Sequence, residues 1–469
     1  MERMTGLDAS FLYFETPTMH MHVCATIIFD PSTVEGGYSF EKVKEFIEGR
    51  LHLVEPFRRR LVTVPFNLHH PVWVEDPDFD LDYHLRRIGV PSPGTPEQLA
   101  EIAGDIASRP LDRTKPLWEM WIVEGLEDGN VAVVAKMHHC TVDGVSGANL
   151  MVHLFDLSQE GEEKPAAPAN WEPERKPSDF ELVGYALNSR LRRPFSLLRV
   201  VPDTVRSVSG LVRTVRGREP GSGMPAPFTA PRTSWNVAVS PHRSVAMSRV
   251  SLDDIKTVKK AFGTTVNDVV LAVASGALRR FLEGKGETPD KSLIGVVPVS
   301  VRSDETEATP GANKVSALFT SLATDIDDPV ERLMAIHEVN KGAKEEHKAI
   351  GATMLQDWME FAAPTTFALA ARAYSGLRLA DRHPVVHNLV ISNVPGPPFP
   401  LWFAGARLVA LNPLGPVMDG AALNITVISY MDSVDWGFIA DKEAVPDLWD
   451  LANDVPEALA ELVKAASDT

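Results

Sequence analysis

"NVAVVAKMHHCTVDG" (residues 130–144) is an apolar run that ends on two adjacent histidines and turns at Asp143-Gly144. Its composition predicts a strand over 130–139. If the chain stays extended to its end, Val131, Val133, Ala135, Met137 and His139 share one face. Ala132, Val134, Lys136 and His138 share the other. The two histidines then point opposite ways, which suits no single metal ion, and no Cys, His or Glu cluster at ligand spacing lies near. We expect no metal. His139 closes an otherwise apolar face, so one reading is a neutral imidazole on a cavity floor, poised as a general base. The other is a strand-end histidine satisfied by a backbone carbonyl. Asp143-Gly144 supplies a sharp turn directly afterwards, and "SGANLMVHLFDLS" (146–158) returns to helical spacing.

Working outward, "HMHVCATIIF" (20–29) and "LWEMWIVEGL" (117–126) read as strands, and "FEKVKEFIEGRL" (40–51) as a helix. Residues 159–178 are polar and proline-rich, as in an exposed connector. A basic helical stretch follows over 187–218, with arginines 190, 192, 193, 199, 206, 213, 216 and 218 among Leu, Val and Phe and only Asp203 as an acid. A second Pro/Gly segment (219–234) closes this crossover. Beyond it, "SLDDIKTVKKAF" and "TVNDVVLAVASGALRRFL" predict helices and "SLIGVVPVSVR" (292–302) a strand. "NITVISYMDSVDWGFIAD" (424–441) predicts a hairpin turning at Met431-Asp432-Ser433, before a final helix. The expected architecture is mixed α/β in two domains, 1–160 and 235–469, joined by the crossover 161–234.

The chain has 469 residues with a 44% hydrophobic fraction, enough for two cores, and a formal net charge of -17. Such an acidic balance argues against nucleic acid as a partner. Two cysteines, Cys24 and Cys140, make no disulfide framework, and the N-terminal stretch lacks the pattern of a secretory leader. No apolar run approaches the ~20 residues of a membrane-spanning helix. The expected location is therefore the cytoplasm, with any membrane contact peripheral.

"HHCTVDG" (138–144) resembles the HHxxxDG signature of CoA-dependent acyltransferases, a superfamily that includes chloramphenicol acetyltransferase and peptide-synthetase condensation domains. "LDASFLYFETPTMHMHV" (7–23), "PLWEMWIVEGL" (116–126), "VNDVVLAVASGALRRFL" (266–282), "PVSVR" (298–302), "GANKVSA" (311–317) and "ISNVPGP" (391–397) resemble, in order, the blocks of its bacterial wax ester synthase/diacylglycerol acyltransferase branch. The resemblance implies two chloramphenicol-acetyltransferase-like domains. It further implies that His139 deprotonates an acceptor alcohol, which attacks acyl-CoA without a covalent acyl-enzyme. His138 and Gly144 belong to the same heptad, and Asp143 becomes a structural residue paired with a distant arginine, for which "EPFRRRL" (55–61) offers Arg58. Asn236 in "TSWN", where relatives often show Pro-Leu-Asn, and Asn267-Asp268 become residues that line or brace the site. Long-chain acyl-CoA and diacylglycerol or a fatty alcohol are the implied substrates. No cofactor is implied, and the oligomeric state is open.

Other readings compete. Cys140 beside the histidines suggests a Cys-His pair, but it would point away from His139, and an unshifted thiol is mostly protonated. Ser146 in "GVSGA" nearly forms a hydrolase G-x-S-x-G elbow, yet Ala148 replaces the last glycine and a helix start explains the serine. A lipid hydrolase and a non-catalytic droplet-coating protein are thus the alternatives. Asp268, three residues after Thr265, is also explained by a capping box, and His20 and His22 as structural. The arginine-rich crossover suits anionic lipid at an inner membrane face or droplet surface, or simply ties the domains together. Its arginines, or Lys136, are candidates for the CoA phosphates.

Overall fold

A computed structural model describes residues 2–141, 152–161, 164–165, 175, 177–188, 223–226, 228–300, 315–350 and 364–468. The strands in chain order are β1 (Glu2–Arg3), β2 (His22–Asp30), β3 (Arg59–Val62), β4 (Val72–Glu75), β5 (Leu85–Gly89), β6 (Trp118–Glu124) and β7 (Val131–His138). They continue with β8 (Arg243–Ser251), β9 (Ile294–Ser300), β10 (Val315–Ser321), β11 (Leu389–Val394) and β12 (Trp402–Phe403). The last are β13 (Ala406–Leu414), β14 (Leu423–Tyr430) and β15 (Ser433–Asp441). The helices are α1 (Gly6–Phe14), α2 (Phe40–Glu48), α3 (Leu81–His84), α4 (Pro96–Ala107), α5 (Leu252–Phe262), α6 (Val266–Lys285), α7 (Pro329–Ile350), α8 (Pro364–Gly376) and α9 (Leu448–Ser467).

Two six-stranded mixed sheets carry the fold, ordered β12-β13-β2-β7-β6-β5 and β10-β9-β11-β14-β15-β8, beside a small sheet β1-β4-β3. The unbroken apolar run of β7 has a physical cause: both faces of its sheet are covered. Val131 and Val133 enter a core with Phe29, Phe57, Trp118 and Phe403, while Ala132 and Val134 enter another with Leu99, Ala103 and Ile106 of α4. The second sheet packs on α6, which is buried along most of its length, opened by the Thr265–Asp268 capping box and closed by Gly286 in the left-handed region (φ 66°).

The expected helices at 40–51, 251–262 and 265–282, the strands, and the 424–441 hairpin all form. The expected division at residue 234 does not describe the sheets. β12 and β13, at 402–414, leave the second half and join the first sheet, β13 pairing with β2 and β12 with β13. They bind the halves together: Leu411 N–H donates to Asp435 Oδ2 (2.9 Å), and Arg249 spans the Val409 carbonyl (2.6 Å) and Asp435 (2.6 Å). A Cβ on Gly437 would overlap the Pro413 carbonyl oxygen, so the crossing requires glycine. The basic stretch 189–218 lies outside the described residues.

Candidate active site

Antiparallel pairing of β2 with β7 sets His22 opposite His138, and Met21 carbonyl accepts from His139 N–H (2.8 Å). β7 ends one residue earlier than the sequence suggests, because His139–Thr141 closes into a 3-10 turn. The two histidine rings still part company. Nδ1 of His138 accepts from Cys140 N–H (3.1 Å), which requires the Nε2–H tautomer, and Nε2 donates to Glu15 Oε2 (3.2 Å). Glu15 is in turn gripped by Arg113, whose Nη2 also reaches the Leu12 carbonyl (3.0 Å). Although burial pushes its pKa up, the His138 and Arg113 partners hold Glu15 at about 2, well into the ionised range.

His139 takes the other side. Its ring stacks on Phe11 of α1 (centroids 4.0 Å, interplanar 20°). Burial lowers its pKa to about 4, partly offset by its own backbone carbonyl. Nδ1 is buried with no partner from another described residue, and the ring is uncharged at neutral pH. α1 is held for this by Thr5, which caps Asp8 N–H (3.1 Å), and by α8, through edge contact of Phe14 with Phe367 (4.8 Å).

A family profile, "Wax ester synthase/diacylglycerol acyltransferase catalytic domain", matches residues 4–270, and the "WS/DGAT C-terminal domain" matches 311–463. The chain belongs to this acyltransferase family. A Mycobacterium tuberculosis relative, Rv1760, provisionally named a diacylglycerol O-acyltransferase, is 42% identical over 100% of this chain and 91% of its own. A second, Rv0221, carries the same provisional name and is 36% identical over 95% and 92%. The wax ester synthase/diacylglycerol acyltransferase of Marinobacter aquaeolei VT8 is similar in structure, with a TM-score of 0.71 and 28% identity over 100% of both chains. A peptide-synthetase condensation domain shares the fold at a TM-score of 0.57 and 15% identity.

For this acyltransferase, the remaining expected site residues divide sharply. Asp143, Gly144 and Ser146 lie outside the described residues. Arg58 sits 3.4 Å from Glu75, an ion pair the sequence reading did not foresee. Asn236, expected to line the site, is fully buried in a clamp: its Oδ1 accepts from Thr233 Oγ1 (2.7 Å) and Asn388 (2.9 Å), and its Nδ2 donates to Gly420 (2.8 Å) and Asn388 (3.2 Å) carbonyls. Asp268 is committed to Thr265, His337 (2.7 Å) and Asn340 (2.8 Å), which outweigh burial and lower its pKa. Both side chains hold the fold. Asn267 accepts from Asn393 (3.3 Å) and so touches the 391–397 loop.

Lys136 cannot serve a phosphate. It is 1% exposed, with Nζ on the Ile106 and Arg109 carbonyls (3.1 Å each) at the end of α4 and near Glu119 (3.3 Å). Cys140 is buried among Met4, Ala9, Leu12 and Leu117, and burial raises its thiol well above the ordinary value. Glu15, Arg113 and Phe11 were missed. The signal available for Glu15 was its place five residues before His20 in "ETPTMHMH".

Two clefts border this region. One, about 700 Å³, runs past Leu12, Tyr13, Leu61, Val64 and Leu369. The other, about 900 Å³, is bounded by Glu15, His20 and residues of α8. Among the described residues no group of three or more His, Cys, Asp or Glu is arranged to hold a metal, and no single helix is long and apolar enough to cross a membrane.

Proposed function

We propose that this acyltransferase moves a long-chain acyl group from acyl-CoA to the hydroxyl of diacylglycerol, giving triacylglycerol, or of a fatty alcohol, giving wax ester, with His139 as general base. The observation that carries this reading is the uncharged His139 ring, half-buried and stacked on Phe11 with Nδ1 turned inward. Nε2 is then the atom that takes the hydroxyl proton as the alkoxide oxygen attacks the thioester carbon. When the C–S bond breaks, the imidazolium returns that proton to the thiolate, so the ring ends neutral and CoA leaves as the thiol. A pKa near 4 means that free imidazolium is not populated at neutral pH. The developing oxyanion is what stabilises the charged ring during attack. The transfer needs no resident cofactor.

The lipid chain suits the aliphatic part of the 700 Å³ cleft, formed by Leu12, Leu61, Val62, Val64 and Leu369, while Arg60, Arg113 and Arg372 also line it. We place the protein in the cytoplasm, peripherally on the membrane face or on lipid droplets. Phe66 and Phe180 support this: they are 88% and 91% exposed, and Phe180 lies just before the arginine-rich stretch.

Purified protein given acyl-CoA with dioleoylglycerol or hexadecanol tests the reading. Thiol release should require an acceptor and vanish with His139→Ala. Ester cleavage without CoA that is lost in Ser146→Ala would instead make the protein a hydrolase. Lipid binding with no turnover would leave a coat protein.

A further inference from the structure

We infer that the mouth of the 700 Å³ cleft is the face that docks on an anionic phospholipid layer, with Phe66, Phe180 and Leu369 entering it so that the cleft opens directly into lipid. This rests on the lipid acceptor proposed above and adds which face of the molecule meets the layer.

Three separate elements bring large apolar side chains to that opening. Val64 and Asn67, which flank Pro65 and Phe66, line the cleft, as do Asp179, the neighbour of Phe180, and Leu369 of α8. Leu369 is 67% exposed, and both phenylalanines stand further out still. Large apolar groups gathered in water around one opening mark a contact surface.

The exposure is built into the fold. Val64 and Leu68 pack inward with Val62, Val72 and Val74. Asn67 N–H donates to the Val64 carbonyl (2.9 Å) and Leu68 N–H to the Pro65 carbonyl (3.3 Å), closing the turn. At its tip Phe66 and Asn67 both lie in the left-handed region (φ 56° and 51°), which residues with a side chain rarely adopt. An anchored, strained turn thus holds an aromatic ring in solvent. The helical residues 179–188 repeat the arrangement. Leu182 and Ala186 enter the same core as Val64, while Phe180 and Leu187, seven positions apart and so on one helix face, are exposed.

Charge selects the occupant. Arg60, Arg113 and Arg372 line the cleft, with Asp179 as the one carboxylate among its described lining residues. Asp76 and Glu15 engage Arg60 and Arg113 from behind, so the opening carries no net negative charge in a chain of net charge -17. In sequence, the helix runs directly into the arginines that begin at Arg190. An anionic layer therefore repels the rest of this chain and tolerates this face. A second copy docked by the same face would set these arginines against their own kind.

Flotation with phosphatidylcholine vesicles, with and without phosphatidylglycerol, reads docking without any turnover. The parent should float with the phosphatidylglycerol vesicles. The double variant Phe66→Asp, Phe180→Asp should bind them at least roughly tenfold more weakly, as expected when two aromatic rings no longer enter lipid. Met334→Asp, on the exposed side of α7, should bind like the parent. Both native cysteines are buried, so Phe66→Cys accepts a polarity-sensitive fluorophore selectively. Its emission should move to the blue on phosphatidylglycerol vesicles, and that of labelled Met334→Cys should not. A parent that stays off the vesicles would overturn the inference, as would a double variant that floats equally well. So would a label at 66 that is unchanged while the protein floats, or one already blue without lipid because the chain or a second copy covers it. Thiol release with dioleoylglycerol in the same vesicles should fall in the double variant, while release with a water-soluble short-chain alcohol holds at the parental rate. Absence of turnover with every acceptor would sink the reading above alone, since flotation and emission decide docking.

Discussion

The clamp around Asn236 and Asp268 and the seam between β2 and β7 are both buried and polar, but they treat their polar atoms in opposite ways. In the clamp, both ends of the Asn236 amide are engaged with Asn388 and Gly420, and, in a separate network, both oxygens of Asp268 tie α6 to α7. On the seam, both ring nitrogens of His22 lack partners among the described residues, and Nδ1 of His139 has none from another described residue. Leaving buried polar atoms unsatisfied costs stability, which a fold accepts only where something else is gained.

The contrast is tested most severely by a pair of alanine variants. His139→Ala should reduce thioester turnover by roughly 10²- to 10⁴-fold, the range for a lost general base, with an unchanged melting temperature. Asn236→Ala should do the reverse. Removing the amide strands Asn388, Thr233 and the Gly420 carbonyl, at about 2 to 4 kcal/mol, read as a lower urea midpoint, while the folded fraction turns over at the parental rate. Loss of activity in Asn236→Ala without loss of stability would erase the distinction.

The sequence exposed the seam better than the clamp. The heptad, the β7 run and the hairpin are local patterns, with apolar periodicity or a turn inside a window of about ten residues, and all three were legible. The capping role of Asp268 was legible too, since a box spans four residues. What failed was long-range. Asn236 meets Asn388 across 152 positions, and Glu15 meets His138 across 123. The return of β12 and β13 to the first sheet depends on a pairing of β13 with β2 that no window contains. The ion pair of Arg58 with Glu75 was not foreseen either, because it forms only once β3 pairs with β4; whether Arg58 also meets Asp143 lies outside the described residues.

Acid should test the buried rings as well, including His387 beside Asn236, which burial also lowers to about 4. Burial lowers His20 and His139 to about 4 from an ordinary 6.5, and takes His22 well below its ordinary value. Between pH 6.5 and 4 the unfolded chain binds protons that these folded rings refuse. Stability is therefore fully present above 6.5 and falls as pH drops, by up to roughly 1.4 kcal/mol per pH unit for each such proton. Glu15, held at about 2 against an ordinary 4.5, adds a further loss only below pH 4.5. The urea midpoint should decline from pH 7 to pH 5, and His22→Phe should flatten the decline. Turnover should show no histidine-like acid limb near 6.5. A midpoint that is level from 7 to 5 would mean that the seam rings are satisfied by groups other than the described ones.

The smallest effect is expected at the residue closest in sequence to the proposed base. Cys140 follows His139 directly, yet its side chain packs with Met4, Ala9 and Leu12, and burial keeps the thiol protonated. A protonated, enclosed sulfur is a poor nucleophile and a small hydrophobe. Cys140→Ala should cost about 1 kcal/mol through a modest void and leave turnover within roughly twofold of the parent. Thiol-blocking reagents should act no faster on the parent than unfolding permits. Rapid inactivation by such a reagent, prevented in Cys140→Ala, would place a reactive thiolate beside His139 and shift the chemistry from direct transfer to an acyl-enzyme. One sulfur's surroundings thus decide whether His139 serves an incoming alcohol or a side chain of its own protein.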